Sequence, residues 1–488
     1  MVFSSISFLV FFLPLALIGY LLLKGPFRLL YLLLSSLFFY YFGEQHLILV
    51  MILSVLLDYS IGLLISGGFK KDPQVLIQEG SRTLQQKVWL ALSICINLCL
   101  LVYFKYFNFF VDNLLELHTA FGWDAKGLDS VIRIALPLGI SFYTFQSMSY
   151  TIDVYRGVVK ANRNLLQFAT YVTMFPQLVA GPIVRYSEME KQIANPAISL
   201  DRFGTGMERF VAGLAKKVLI ANALAPIADQ IFAFPANEIS TGVAWIGILA
   251  FSGQLYFDFS GYSCMAIGLG KMLGFDFKEN FNYPYVSQSV TEYWNRWHIS
   301  LTSWFRDYVY FPMGGSRVSP LRVDFNVMTV FFISGLWHGT QWSNIIWGVY
   351  NGLMMLIERK WLRKVLLKWP RFFRHLYFQV AVLVGYVFFR TSSPSESISF
   401  LMTLFGLQSS ENYTAIEFFS IPNIITFCAA ICFSTPLMPN VLSWSKNLDR
   451  KHHFVLDLGY RLLLIFLFIV CVSDLLSGSY NPFIYFRF

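Results

Sequence analysis

Apolar runs long enough to cross a lipid bilayer recur along most of this chain. A spanning helix needs about 20 consecutive apolar residues, and runs of that kind fall at 4–23, 28–43, 46–67, 88–110, 131–152, 218–234, 243–270, 375–391, 419–437 and 456–473. A further run from Phe325 to Ile357 holds no carboxylate, lysine or arginine. As one helix it would measure roughly 50 Å, too long for a hydrocarbon core about 30 Å thick. The pattern therefore predicts a break at Gly335 and Gly339, with two short membrane helices at 325–337 and 341–358. The 167–182 stretch is shorter and contains two prolines and a glycine, so it reads as a re-entrant or interfacial piece. The expected architecture is an all-α polytopic membrane protein with about 11–12 transmembrane helices. A barrel would show alternating segments of about ten residues. Residues 1–23 carry no charge; without a basic n-region they read as a retained first membrane helix.

One interval interrupts this pattern. The stretch "YWNRWHISLTSWFRDYVYFPMGG" (Tyr293–Gly315) is polar and aromatic, and lies between two long apolar runs. Trp294, Trp297, Leu301 and Trp304 recur at helical spacing, with Arg296, Arg306 and Asp307 elsewhere around the helix. The expectation is an amphipathic helix at the membrane boundary.

Composition supports the membrane reading. Hydrophobic residues make up 56% of the 488 and charged residues 13%, against about 25% charged in soluble domains. The net charge of +9 collects in short loops at 68–87, 156–166, 185–217 and 359–374, which places them in the cytoplasm. The 111–130 and 393–418 stretches then face outward, as do both termini. This distribution gives no reason to invoke nucleic acid. The six cysteines lie in or beside apolar runs without zinc spacing, so neither a metal site nor a disulfide scaffold is indicated. With no repeat or soluble segment, the chain reads as a single membrane domain over 1–488, with its chemical core at about 131–358.

Two of the seven histidines stand out. His338, in "SGLWHGT", lies near the middle of the 325–357 run, where an ionisable group is costly unless it faces a cavity or a partner. His298 lies in the amphipathic stretch. A neutral imidazole is the form a general base needs, and its natural task here is to take a proton from a hydroxyl that attacks an acyl group. Gln254, Tyr256, Asp258 and Ser260, with Tyr262, crowd the end of one apolar run. Ser141, Tyr143, Gln146, Ser149 and Asp153 lie on another, and Asp58 on a third. Any one of these could be interhelical glue; their density points to a polar cavity. There is no nucleophile elbow, P-loop or HExxH motif.

The stretches "TEYWNRWHISLTSWFRDYVYFPMGGSR" and "GLWHGTQWSNIIWGVYNG" closely resemble the membrane-bound O-acyltransferase (MBOAT) family, and within it the members that serve bacterial alginate and cellulose O-acetylation. "LPLGISFYTFQSMSYTIDVYRG", "FPQLVAGPIVR", "QLYFDFSGYSCMAIGLG", "ENFNYPYVSQSVTEYW" and the terminal "NPFIYFRF" extend the likeness over most of the chain. The resemblance implies a helical fold enclosing a transmembrane tunnel, His338 as the catalytic residue and His298 as the second family position. It further implies an acetyl donor in the cytoplasm, acetyl-CoA, with no resident cofactor. An extracytoplasmic SGNH-hydrolase-like partner would place the acetyl group on an exported polysaccharide, and the protein would sit in the lipid of the inner membrane.

On this reading His338 acts as general base or positions the acyl acceptor, and His298 orients or polarises the donor carbonyl, a role for a hydrogen-bond donor. Arg296, Arg306 and Arg317 are candidates for donor phosphates, with Asp307 pairing an arginine. Asn295, Trp297, Gln254, Tyr256, Asp258 and Ser260 complete the candidate substrate contacts. D-alanyl or other acyl transfer to teichoic acid, lipid or protein remains open. So does, from another class, a transporter using histidines as a proton relay.

Overall fold

The computed structural model describes residues 2–68, 82–122, 131, 133–410 and 412–484. Parts of the 68–87 and 111–130 loops, and the last residues of "NPFIYFRF", lie outside the described residues. Among the described residues the regular structure is helical, with one isolated bridge between Ile239 and Tyr413. This is what a lipid environment demands, since a helix satisfies its own backbone groups.

Among the described residues, six helical stretches are long and apolar enough to cross a membrane: Gly25–Ile65, Leu84–Ala120, Leu200–Ala233, Thr241–Met272, Arg371–Arg390 and Arg450–Leu476. Ile421–Phe433 and Leu437–Ser445, bent by 60°, would make a seventh if they form one span. The expected 11–12 included runs that the structure merges, shortens or breaks. The 28–43 and 46–67 runs fall within one 41-residue stretch, while Ser7–Leu22 is shorter than a full span. The expected break in the 325–357 run occurs at Gly339. Helix Pro320–His338 stops there, and Trp342–Ile357 follows. Gly335 stays helical and serves a different purpose: its Cα lies 3.0 Å from where a Cβ on Gly348 would stand, so the two helices cross almost backbone to backbone.

The chain groups into two compact units. One comprises Met1–Phe203 and Gly270–Phe277, the other Gly204–Leu269 and Lys278–Phe488. In the first, the anticipated re-entrant piece is two short buried helices, Leu165–Thr173 and Phe175–Leu178, separated at Met174. Asp58 is interhelical glue. It is fully buried and accepts hydrogen bonds from Ser93 Oγ at 2.7 Å and from Asn97 Nδ2 at 3.0 Å. In the second unit, Gly213 and Gly261 let two long helices touch: a Cβ at Gly213 would lie 2.6 Å from the Gly261 carbonyl oxygen.

The 293–315 stretch differs from the expectation. It is not one boundary helix. Helix Val290–Trp294 ends, the chain turns, and helix Ile299–Phe305 begins after His298, which adopts φ 45°. Trp294, Trp297, Leu301 and Trp304 are all buried. An apolar helical face looks the same in sequence whether it meets lipid or protein, and here protein covers it.

Candidate active site

His338 is the last residue of helix Pro320–His338 and is 2% exposed. Its imidazole sits among aromatic rings: Trp337 at 4.8 Å, Trp347 at 4.9 Å and Phe389 at 5.5 Å between ring centroids. Just after it, the Asn344 amide occupies the position a Cβ on Gly339 would need, so any other residue there would push the Asn344 side chain aside. His298 is fully buried, and its ring centroid lies 6.5 Å from that of His338. Phe259 meets the His298 ring edge-on at 4.7 Å.

The tautomer of His298 follows from its neighbours. Asn280 Oδ1 accepts the Ser300 amide at 3.1 Å and the Ser300 hydroxyl at 2.9 Å. That oxygen therefore faces donors, and His298 Nδ1, 3.2 Å away, is the protonated nitrogen that donates to it. Nε2 is then the lone-pair nitrogen. Burial pushes the His298 pKa down to about 3, so the ring is neutral at neutral pH.

This has a measurable consequence for stability. An unfolded histidine takes up a proton near pH 6.5, whereas folded His298 does not until far lower pH. The unfolded state binds more protons across that window, so stability falls as the pH drops below about 6.5, by about 2 kcal/mol at pH 5. The detergent-solubilised protein should lose more thermal stability between pH 7 and pH 5 than His298→Gln does. Equal losses would show that His298 titrates as an ordinary solvated histidine.

The loop that carries His298 is held from outside. Glu358, 2% exposed, accepts the Val290 amide at 2.6 Å, the Thr291 amide at 2.9 Å and the Thr291 hydroxyl at 2.6 Å. Tyr377 OH donates to the same carboxylate at 3.1 Å. The Val290–Trp294 helix is thereby tied to the end of Trp342–Ile357 and to Arg371–Arg390. Trp294 packs on Trp347 at 5.8 Å, and Trp347 on His338.

Two cavities are lined by residues that flank or contact the histidines, with neither histidine itself in the lining. One, of about 410 Å³, is lined by Arg209, Lys216, Tyr256, Ser260 and Ser263, and by Asn280, which holds His298. The other, of about 730 Å³, is lined by Gln254, Gly339, Asn344 and Phe389 beside His338, and by Tyr480–Ile484. The candidate polar residues are thus sorted. Tyr256 and Ser260 face the first cavity and Gln254 the second. The Ser260 hydroxyl and the Gln254 carbonyl oxygen are buried without a protein hydrogen-bond partner.

Asp258 lines neither of these cavities. It forms a buried ion pair with Lys217 at 2.7 Å and accepts the Ile484 amide at 2.9 Å. Trp297 is buried and stacks on Tyr293 at 5.6 Å. Asn295 caps its own helix through the Thr291 carbonyl at 3.1 Å. Arg296 is engaged by Glu292 and by the Asn282 carbonyl, each at 3.0 Å. Arg306 pairs with Asp307 at 2.9 Å, and Arg317 is exposed. None of these three arginines lines either cavity; Arg209 and Lys216 do.

Asn280, Glu358, Lys217 and Asn344 were not singled out by the sequence reading. Only the helical phase of Gln254, Tyr256 and Ser260 was available in advance. Positions two apart lie about 200° apart around a helix and positions four apart share a face, which separates Gln254 from the Tyr256–Ser260 pair.

Comparison with known proteins gives a consistent picture. Residues 37–399 match the family model of the membrane-bound O-acyltransferases. A probable alginate O-acetylase AlgI of Azotobacter vinelandii is 38% identical over 520 residues, covering 100% of both chains. The probable alginate O-acetylase AlgI of Pseudomonas aeruginosa is 44% identical over 399 residues, 80% of this chain and 72% of its own. A peptidoglycan O-acetyltransferase of Helicobacter pylori is 34% identical over 443 residues, 83% of this chain and 80% of its own.

Proposed function

We propose that this chain, which belongs to the membrane-bound O-acyltransferase family, moves an acetyl group from cytoplasmic acetyl-CoA across the inner membrane for O-acetylation of an exported polysaccharide such as alginate or cellulose. That it is a multi-pass membrane O-acyltransferase follows from the family. The donor, the polymer and the partner are this proposal's own. The observation that carries it is the pair of buried histidines, with ring centroids 6.5 Å apart, each adjoined by residues of a different cavity.

In this reading the thioester lies toward the 410 Å³ cavity, where Lys216, and Arg209 beside its ion-pair partner Glu279, offer cations to the donor phosphates. The acceptor hydroxyl comes from the 730 Å³ side. His338 takes the hydroxyl proton as the oxygen attacks the thioester carbonyl carbon. The C–O bond forms, the C–S bond breaks, and the proton passes to the departing thiolate. His298 cannot act as the carbonyl's hydrogen-bond donor in the neutral tautomer set by Asn280. Its Nε2 accepts, and it serves to orient the reacting groups. An extracytoplasmic SGNH-type transferase takes the acetyl group onward to the polymer.

The test is transfer of radiolabelled acetyl from acetyl-CoA, supplied on the outside face of inside-out vesicles that contain the protein. Label should appear in an acid-stable ester on the lumenal side. If acetyl-CoA is left intact and a carrier-protein thioester is consumed instead, the donor assignment is wrong and the chain works in the manner of a carrier-dependent acyltransferase.

A further inference from the structure

We infer that Asn280 polarises the thioester carbonyl: its side-chain N–H donates to the acyl oxygen, while its Oδ1 holds His298 in register. This inference rests on the thioester-donor reading above. Asn280 is fully buried yet lines the 410 Å³ cavity. Its two ends have different surroundings. Oδ1 meets His298 Nδ1, the Ser300 amide and the Ser300 hydroxyl. The Ser300 backbone N–H can only donate, so the amide cannot be flipped and Nδ2 is the end that remains. Nδ2 is buried and has no hydrogen-bond partner in the protein.

A buried amide donor without a partner carries an uncompensated desolvation penalty, and natural proteins keep few of them. The cost is recovered when a ligand accepts the bond. Ser260 and Ser263, whose buried hydroxyls also lack protein partners, line the same cavity. Together they form a set of polar groups waiting for a polar ligand. The backbone of Asn280 is fixed as well, since its carbonyl accepts the Ile299 amide at 2.9 Å. The donor is thus pre-oriented, which is what stabilisation of a developing oxyanion requires.

The assignment resolves a chemical gap. A thioester carbonyl under attack needs a hydrogen-bond donor, and the His298 tautomer cannot supply one from Nε2. Asn280 supplies the donor and sets that tautomer with the same side chain.

The experiment is isotope-edited infrared spectroscopy of acetyl-CoA, labelled with carbon-13 at the carbonyl, bound to the full-length protein in nanodiscs, alongside steady-state kinetics. In the wild type the bound carbonyl band should move to lower wavenumber than free acetyl-CoA. In Asn280→Ala the shift should vanish. Turnover of Asn280→Asp, which keeps the oxygen and loses the N–H, should fall about a hundredfold with donor KM changed less than about threefold. The carboxylate beside His298 should also favour the imidazolium, so the activity of Asn280→Asp should acquire a new loss on the acid side. A purely structural role would leave the bound carbonyl band shifted in Asn280→Ala.

A band shift retained in Asn280→Ala, or wild-type turnover in Asn280→Asp, overturns the inference. If Asn280→Ala does not accumulate, the infrared comparison is made with Asn280→Asp under the same criteria. Absence of any bound acetyl-CoA band in the wild type sinks the thioester-donor reading itself, and this inference with it; a bound but unshifted band sinks only the role of Asn280.

Discussion

His338→Ala should abolish acetyl transfer while the protein still accumulates in the membrane. Loss of a positioned general base lowers turnover by about 10²- to 10⁴-fold, enough to remove polymer acetylation in cells. Folding should survive because the substitution falls at the last residue of helix Pro320–His338, where alanine is a strong helix former. The ring contacts of Trp337, Trp347 and Phe389 with the imidazole are lost. Those three side chains remain packed against other parts of the second unit, with Trp347 on Phe389 at 5.1 Å. The measurement is ester content of the exported polymer beside an immunoblot of membranes. Normal ester content in a strain with normal protein levels would mean that His338 carries no proton in the rate-limiting step, and the general-base role would have to be sought elsewhere.

Lys217→Met should destabilise the protein by about 3–5 kcal/mol, because it leaves the Asp258 carboxylate charged and unpaired in the interior. Both side chains are 2% exposed and their charges are 2.7 Å apart, so solvent offers little screening. The same pair anchors the C-terminal segment. Lys217 Nζ donates to the Pro482 carbonyl, and Asp258 Oδ2 accepts the Ile484 amide at 2.9 Å. Residues 480–484 in turn line the 730 Å³ cavity beside Phe389 and Gly339. The lysine variant should therefore melt earlier in detergent and also lose transfer activity out of proportion to its abundance. Lys217→Met with Asp258→Asn should recover most of the stability, since no charge is left buried and the amide oxygen can still accept from Ile484. A double variant no more stable than the single one would show that tail anchoring, and not the orphaned charge, dominates the cost.

These expectations differ in how far the sequence anticipated them. His338 was legible because its signal is local. A histidine in a run without lysine, arginine or carboxylate violates the energetics of a membrane interior wherever the run folds, and the adjacent Gly339 marked the break that leaves it at a helix end. The helices were legible for the same reason: each satisfies its own backbone, and its apolar length can be counted along the chain. The break in the 293–315 stretch was not legible. Its tryptophans keep helical spacing across the turn at His298, and spacing carries no information about a left-handed residue held in place by Asn280.

The remaining site residues show what kind of information sequence lacks. Asp258 read as a substrate contact because it is a carboxylate in an apolar run. Its partner, Lys217, is merely the last residue of the basic 185–217 loop in sequence. Each is ambiguous alone, and only their meeting defines an ion pair. Arg296 and Arg306 read as phosphate ligands by charge, yet Glu292 and Asp307 engage them locally. By itself, then, the sequence determined the helical membrane class, a break within the 335–339 segment and the candidacy of His338, all consequences of local hydropathy and helix geometry. The tertiary structure decided which nitrogen of His298 bears the proton, which cavity Gln254, Tyr256 and Ser260 face, and that Asp258 is committed to Lys217. Those outcomes depend on the direction of individual polar atoms from segments far apart in the chain, and the energy of a hydrogen bond or buried ion pair exists only once both partners are in place.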